Sequence, residues 1–203
     1  MIELLEKGGV IMAIILGLSL VAAIIIIERL LYFRRIRVDE EQMISRLRAA
    51  LEKGHFEEAA SICESNPSPI TNLMKVGIDH RQYSDSEIKE SIMNAANLEI
   101  PSLERFLPAL GTVAHIAPLL GLLGTVTGNI AAFGVLGQFA GGGDPMALAN
   151  GIAEALLTTA AGIVVSIPAI IFYNNLVSKV NHIIIRLENR VSELVLLLKG
   201  RSI

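Results

Sequence analysis

Glu154 is the residue best suited to chemistry in this chain, because it lies inside an apolar run with the composition of a membrane helix. Between Arg105 and Lys179 the only Asp, Glu, Lys or Arg residues are Asp144 and Glu154. A carboxylate at bilayer depth costs about 3 kcal/mol on insertion scales, and such residues usually face a bundle interior and mark an ion or proton path. We therefore predict that Glu154 lies on an ion pathway. The alternative is a helix-contact residue near the outer water boundary.

Threonine hydroxyls accompany this carboxylate. Thr158 follows Glu154 by one helical turn, Thr159 is the next residue, and Thr125 lies in the preceding apolar run. Two successive membrane helices run antiparallel, so Thr125 is expected near the level of residues 154–159. A ring of copies would give a narrow polar lining, which suits hopping of a proton or small cation. The alternative is that these hydroxyls only bond the backbone of their own helices.

Three long apolar stretches would position these residues, over about 9–32, 107–136 and 146–177. Each is long enough to cross a hydrocarbon core of about 30 Å. The chain is 52% hydrophobic but only 4% aromatic, with no Trp, so its apolar excess lies in aliphatic runs. We predict an all-α integral membrane protein with three transmembrane helices and a helical cytoplasmic domain. Its long helices are expected to extend into the cytoplasm.

Arginine and lysine residues predict the orientation. They cluster at one side of the three stretches, and only Lys7 lies on the other. The positive-inside rule then places the N-terminus outside and the C-terminus in the cytoplasm. In a bacterial inner membrane, the outside would be the periplasm. The predicted segments are a periplasmic N-terminus with transmembrane helix 1 (1–33), a cytoplasmic helical domain (34–106), transmembrane helix 2 (107–136), a periplasmic loop (137–145), transmembrane helix 3 (146–177) and a cytoplasmic C-terminal helix (178–203).

Local signals predict helices in the cytoplasmic segments. One helix is expected over 38–53, with Gly54 as its C-terminal cap, and a second over 55–65. The pattern Ser84-x-x-Glu87 is a capping box that would start a helix running from Asp85 toward Ile100. Pro101 and Pro108 would then bend or restart the chain.

A heptad pattern of apolar residues marks the C-terminal stretch. It predicts either a helix that packs on its neighbours or a surface for self-association. The residues are Val180, Ile184, Leu187, Val191, Leu194 and Leu198.

Small residues predict that the second and third stretches pack closely. Membrane helices approach through glycine, alanine, serine and threonine, because dispersion and hydrogen bonds replace the hydrophobic effect there. The second stretch contains the pair Gly124-x-x-x-Gly128, and the third contains Gly151-x-x-x-Ala155. The predicted helix-packing residues are Gly121, Gly124, Gly128, Gly151 and Gly162.

Other function classes find no support in the sequence. The formal charge of −3 argues against nucleic acid as a partner. The single cysteine, Cys63, cannot form an internal disulfide, and no Cys/His cluster has metal-ligand spacing. Glycines 141–143 follow no predicted strand and precede no lysine, unlike a phosphate loop. We therefore expect no enzyme, catalytic residue, metal or cofactor.

Several motifs together resemble the MotA/TolQ/ExbB proton-channel family. They are Ala117-Pro-Leu-Leu-Gly-Leu-Leu-Gly-Thr-Val126, then Gly151-Ile-Ala-Glu-Ala-Leu-Leu-Thr-Thr-Ala160, then Ser166-Ile-Pro-Ala169 with Tyr173-Asn174. Three stretches with one modest cytoplasmic insert are similar to ExbB and TolQ rather than to four-span MotA. The resemblance leaves ExbB and TolQ both open.

The resemblance implies a homopentamer whose pore is lined by the second and third transmembrane helices. It also implies two copies of a single-span partner of the ExbD/TolR type inside that pore, and possible work with a TonB-like or Tol-system protein. By motif position, Thr125, Glu154 and Thr159 match the polar pore residues of the family, with Thr158 beside them. The partner's transmembrane aspartate is then the expected proton carrier.

Two alternatives to a proton-driven motor subunit stay open. The family often has Ala where this chain has Thr158, so a sodium-driven stator subunit is one alternative. A membrane scaffold that assembles a complex without conducting ions is the other.

Overall fold

The computed structural model describes residues 2–38, 40–138 and 145–198, and within these ranges the chain is all-α with no strand. This confirms the predicted fold class. The helices are α1 (Ile2–Val38), α2 (Glu40–Glu52), α3 (Phe56–Ser65), α4 (Pro69–Asp79), α5 (Asp85–Glu104), α6 (Leu107–Gln138) and α7 (Pro145–Leu198).

Three helical stretches in the described ranges are long and apolar enough to cross a membrane. They are Gly9–Arg34, Asp85–Gly134 and Leu148–Leu196. Each overlaps one of the stretches expected from the sequence, which confirms the three-span membrane protein. Most of the predicted loop at 137–145 lies outside the described residues, and Pro145 is the first residue of α7.

The chain forms two compact units. The first unit comprises residues 1–28 and 106–176. In it, α6 and α7 run antiparallel along their length. Gly111 lies against the ring of Tyr173 near one end of the pair, and Gly151 lies against Ala132 near the other. The candidate site lies between these two contacts.

The second unit comprises residues 29–105 and 177–203. Within it α2 packs on α3, α3 on α4 and α4 on α5. Cys63 is buried there, and this burial raises the pKa of its thiol to about 11, so it stays protonated at neutral pH. The largest fully buried aliphatic side chains of this core are Leu47, Ile78, Ile88, Ile92, Leu103, Leu187 and Leu194.

The C-terminal heptad pattern is used inside this unit. Its side chains are buried except for half-buried Ile184. Leu194 and Leu198 lie against Gly77 of α4. The alternative in which this stripe packs on its own chain therefore describes the structure, and the stripe is not a free surface for self-association.

Helix ends in the second unit mostly follow the sequence signals. Gly54 follows α2 with a φ of +76°, which favours glycine. The capping box before α5 is present: the Ser84 hydroxyl accepts from the backbone N–H of Glu87, and the Glu87 carboxylate accepts from the backbone N–H of Ser84.

Pro101 does not end the helix that was expected to run toward Ile100. Pro101 lies inside α5, which continues to Glu104. A proline removes the partner of the carbonyl four residues earlier, here that of Asn97, but Asn97 is exposed and its carbonyl can bind solvent instead. The break comes at Phe106, which has a φ of 65°. Pro108, the second residue of α6, lies where its missing N–H costs little.

Helix α4 was not predicted. It begins after Ser68, whose hydroxyl accepts from the backbone N–H of Thr71, while the Thr71 hydroxyl accepts from the backbone N–H of Ser68. Pro69 occupies the first turn, where proline is tolerated. Thr takes the place that Glu or Gln holds in the usual capping box, so the sequence pattern was missed.

Candidate functional site

Helices α6 and α7 approach each other through small residues, and we call this contact the α6–α7 seam. A β-carbon added at Gly121 would lie 2.8 Å from the Cα of Thr159. One at Gly128 would lie 2.6 Å from the Cβ of Ala155. All five glycines expected to pack helices lie at the seam: Gly121, Gly128 and Gly151, with Gly124 against the Thr158 side chain and Gly162 against the carbonyl oxygen of Ala117.

Two threonine hydroxyls of α7 bond across this seam. The Thr159 hydroxyl donates to the carbonyl oxygen of Gly121 at 2.8 Å. The Thr158 hydroxyl donates to Ala155 of its own helix at 2.7 Å and lies 3.3 Å from the same Gly121 oxygen. Thr158 is only 3% exposed. Its hydroxyl is thus used within the helix pair, whereas half-buried Thr159 also reaches the edge of the seam.

Thr125 lies at the level expected from the sequence. The neighbouring glycine, Gly124, faces Thr158, so Thr125 lies beside the same turn of α7. Its hydroxyl donates to the carbonyl of Leu122 in its own helix at 2.7 Å, and the side chain is half-buried. This bond still leaves the lone pairs of the hydroxyl oxygen available to a ligand or water.

Glu154 is exposed on the surface of the single chain. No hydrogen bond or ion pair joins its carboxylate to another side chain in the described part of the chain. Its helix carries exposed apolar side chains on other faces, such as Leu156 and Val164. A carboxylate in such a setting needs water or another protein as its partner, because lipid provides none.

The structure brings Thr158 and Thr159 together at the seam but keeps Glu154 and Thr125 apart. Gly124 lies against the side chain of Thr158, whereas Gly121 lies against the backbone of both threonines and accepts from the Thr159 hydroxyl. Thr158 is therefore toward one edge of the seam and Thr159 toward the other. At about 100° per residue, Glu154 lies beyond Thr158 and Thr125 lies beyond Gly121. The carboxylate and the Thr125 hydroxyl therefore lie at opposite edges of one helix pair.

Ser166 is a polar contact whose partner the sequence reasoning missed. Its hydroxyl donates to the carbonyl oxygen of Ala114 at 2.6 Å, across the seam and buried. The signal that could have found this contact is Pro118, four residues after Ala114, because proline lacks the N–H that would bond that carbonyl.

Sequence comparison places the chain among channel proteins. Residues 65–189 match the MotA/TolQ/ExbB proton channel family. That range contains all of α6, α7 as far as residue 189, and all nine residues predicted for the ion pathway and helix packing.

Individual relatives agree with this match. The chain is 30% identical to an ExbB homolog named for biopolymer transport in Methanothermobacter thermautotrophicus, over 92% of this chain and 66% of that protein. It is 36% identical to an ExbB-like biopolymer transport protein of Synechocystis sp., over 85% of this chain and 68% of that protein. It is 47% identical to the Tol-Pal system protein TolQ of Haemophilus influenzae, over 44% of this chain and 39% of TolQ. The chain thus spans about two thirds of the length of the first two relatives.

Proposed function

The chain belongs to the MotA/TolQ/ExbB proton channel family, and from this premise we propose that it is the pore-forming subunit of an ion-driven membrane motor. The motor is of the ExbB/TolQ type and is driven by the proton-motive force. It would energise transport across the outer membrane or maintenance of the cell envelope.

Glu154 is the single observation that carries this proposal. Its carboxylate is exposed in an otherwise apolar helix and has no partner in the described part of the chain. Keeping a carboxylate in a membrane costs free energy, and a water-filled pore or a second protein would offset that cost. A pore offers both water and a path for the ion.

The separation of Glu154 from Thr125 supports a ring of copies. If helix pairs stand side by side, the Glu154 edge of one copy faces the Thr125 edge of the next. The carboxylate would then share a lining with the hydroxyls of Thr125 and Thr159. The expected ring is the homopentamer that the family resemblance implies, since head-to-tail contacts form a ring when their rotation closes.

The four predicted pathway residues take two different roles in this proposal. Glu154, Thr125 and Thr159 contribute to the lining. Thr158 holds the lining in place, because it is only 3% exposed and its hydroxyl bonds within the seam. This placement disfavours the sodium alternative, in which Thr158 would face the ion.

The partner would be a single-span ExbD/TolR-like protein, with two copies inside the pore. The names of the relatives, a Tol-Pal system protein among them, support a partner of this class. A TonB-like or Tol-system protein would then receive the work. In this arrangement the segment 1–33 comprises a periplasmic N-terminus and transmembrane helix 1. Residues 137–145 face the periplasm, and residues 34–106 and 178–203 face the cytoplasm of a bacterial inner membrane.

Native mass of the detergent-solubilised complex tests the architecture. The chain is expressed alone and then together with the single-span product of a neighbouring gene. We expect a five-subunit ring that gains two partner copies. A monomer or dimer that never captures a partner contradicts the pore and leaves the scaffold.

Ion flux into vesicles separates the remaining alternatives. A proton gradient and a sodium gradient are imposed in turn on the reconstituted complex. We expect ion flux under the proton gradient and none under the sodium gradient. Flux with sodium alone indicates the sodium-driven stator, and no flux from an intact complex indicates the scaffold.

A further inference from the structure

Pro118 interrupts the hydrogen bonds of α6 in the middle of the seam. It lies inside the helix and has no N–H, so the carbonyl of Ala114 loses its helical partner. Ala114 is 2% exposed and lies in an apolar span. Water cannot satisfy such a carbonyl inside a bilayer, where each unpaired backbone group is costly.

Ser166 of the facing helix supplies the missing donor. Its hydroxyl oxygen lies 2.6 Å from the carbonyl oxygen of Ala114, within the normal range for an O–H···O bond. The Ser166 side chain is 9% exposed, so this bond is shielded from competing donors. One side-chain hydroxyl thus replaces the backbone amide that proline removes.

Gly162 makes this contact possible. It lies one turn before Ser166 and directly against the carbonyl oxygen of Ala117, where a β-carbon would collide. A serine side chain is short, so its hydroxyl reaches a carbonyl of the other helix only where the two backbones nearly touch.

The second interior proline of the helix pair, Pro168, has no such compensation. Pro168 removes the partner of the Val164 carbonyl in the same way. Within the described ranges no side chain donates to that carbonyl, and Val164 is 68% exposed. The Ser166 bond is therefore a specific feature of the Pro118 turn and not a general property of prolines in this pair.

We propose that Ser166 is a positioning residue for the ion pathway, because its bond to Ala114 holds the Pro118 turn of α6 against α7. Thr159 and Ser166 are seven residues apart, about two turns, and both bond carbonyls of α6 across the same edge of the seam. That edge also carries Thr125. Ser166 thus fixes the spacing of the hydroxyls in the lining, an inference that rests on the proposed function.

Two variants of equal shape separate the hydroxyl from the volume of the side chain. Ser166→Thr keeps a hydroxyl, and Ser166→Val replaces it with a methyl group. In the assembled complex, Ser166→Val is expected to raise the unfolding equilibrium constant roughly three- to twentyfold over Ser166→Thr, the range of single cross-helix hydrogen bonds. Ion flux per assembled complex should fall in Ser166→Val and stay near the wild-type value in Ser166→Thr.

Removing the proline should remove the need for the serine. Pro118→Ala restores the N–H that bonds Ala114, so Ser166→Ala in this background should change unfolding and flux less than about twofold. Pro168→Ala is the matched control, and in that background Ser166→Ala should remain as harmful as in the wild type. Thr127→Ala controls for loss of a hydroxyl that bonds only its own helix.

Equal behaviour of the Thr and Val variants overturns the inference, even if Pro118→Ala fails to assemble. Rescue by Pro168→Ala to the same extent as by Pro118→Ala also overturns it. The proposed function fails separately: if Glu154→Gln leaves flux intact, the pathway is wrong, whereas the difference in unfolding between the Thr and Val variants still reports on the Ser166 bond.

Discussion

The α6–α7 seam of the first unit and the core of the second unit are built from side chains of different size. In the first unit, small residues and hydroxyl-to-carbonyl bonds form the contact between α6 and α7, while large apolar side chains such as Leu119, Ile130 and Leu156 are more than 60% exposed. In the second unit, large side chains such as Leu47 and Leu187 are about 1% exposed.

This difference follows from the solvent that each unit requires. Burial of large apolar side chains stabilises a unit in water, by about 25 cal/mol per Å² of apolar surface. In a bilayer that gain vanishes, because lipid is as apolar as leucine, and close backbone contact takes its place. Substitutions should therefore act through cavities in the second unit and through collisions in the first.

The largest effect is expected from a cavity in the second unit. Leu194 is 1% exposed and packs against Gly77, so Leu194→Ala should lower the free energy of unfolding by roughly 2–5 kcal/mol. Leu196→Ala is the control in the same helix, because Leu196 is 39% exposed, and its loss should stay below about 1 kcal/mol. Thermal unfolding of the detergent-solubilised complex, with limited proteolysis, measures both. Equal losses of unfolding free energy in the two variants would show that the C-terminal heptad residues do not form the core of this unit.

A methyl group at the seam should have the next largest effect. Gly162→Ala places a β-carbon against the Ala117 carbonyl. A backbone carbonyl cannot move aside as a flexible side chain can, so the complex should lose about 1–3 kcal/mol of stability. Gly134→Ala in α6 meets no neighbour within 4 Å and should be neutral or slightly stabilising. Resistance of the complex to dissociation in a strong detergent reports the difference. Tolerance of both substitutions would contradict a close seam.

Removal of a helix cap should cost less. Ser68→Ala removes the hydroxyl that accepts from Thr71 N–H at the start of α4, and about 1 kcal/mol is expected. Ser65→Ala is the control, because the Ser65 hydroxyl only donates to the Ser61 carbonyl, and its effect should lie within about 0.5 kcal/mol. If thermal unfolding gives the same shift for both variants, α4 does not depend on this cap.

The smallest effect is expected from a surface ion pair and should depend on pH. Lys75 lies 2.7 Å from Glu64, and its hydrogen bond and charge lower the pKa of the Glu64 carboxyl below 4.5. A lowered folded pKa stabilises the fold above the ordinary pKa, and this contribution is lost as pH falls through the folded value.

Glu64 in turn raises the pKa of the Lys75 ammonium above 10.5. The ion pair therefore stabilises the fold until the pH rises through the folded pKa of Lys75. We expect Glu64→Gln to lower the melting temperature slightly at pH 7 and not at pH 3. A difference that persists at pH 3 would mean that the side chain acts through packing instead of charge.

Much of the fold was predictable because single local signals decide it. Apolar length predicted the three spans, and the Ser84 pattern predicted the start of α5. The end of α5 at Glu104 was harder to predict, because the helix continues through Pro101 and the chain breaks at Phe106 instead. Helix α4 was missed because its capping residue, Thr71, has an unusual type for that position.

The candidate site was less predictable because it depends on contacts between helices. Small residues correctly indicated where α6 and α7 approach each other, but not which carbonyl each hydroxyl would reach. The separation of Glu154 and Thr125 follows from the register of the two helices, which spacing within either helix does not determine. The bond from Ser166 to Ala114 likewise needs both the register and the effect of Pro118.

Proton flux through the reconstituted complex with Glu154→Gln tests the central claim most directly. The substitution keeps the size of the side chain and removes its charge. Glu90→Gln is the control, since Glu90 is also exposed but lies in α5, before the apolar run predicted at 107–136. With native mass unchanged in all three proteins, we predict that flux falls to the level of empty vesicles for Glu154→Gln and stays at the wild-type level for Glu90→Gln. Undiminished flux in an intact Glu154→Gln complex would contradict the account.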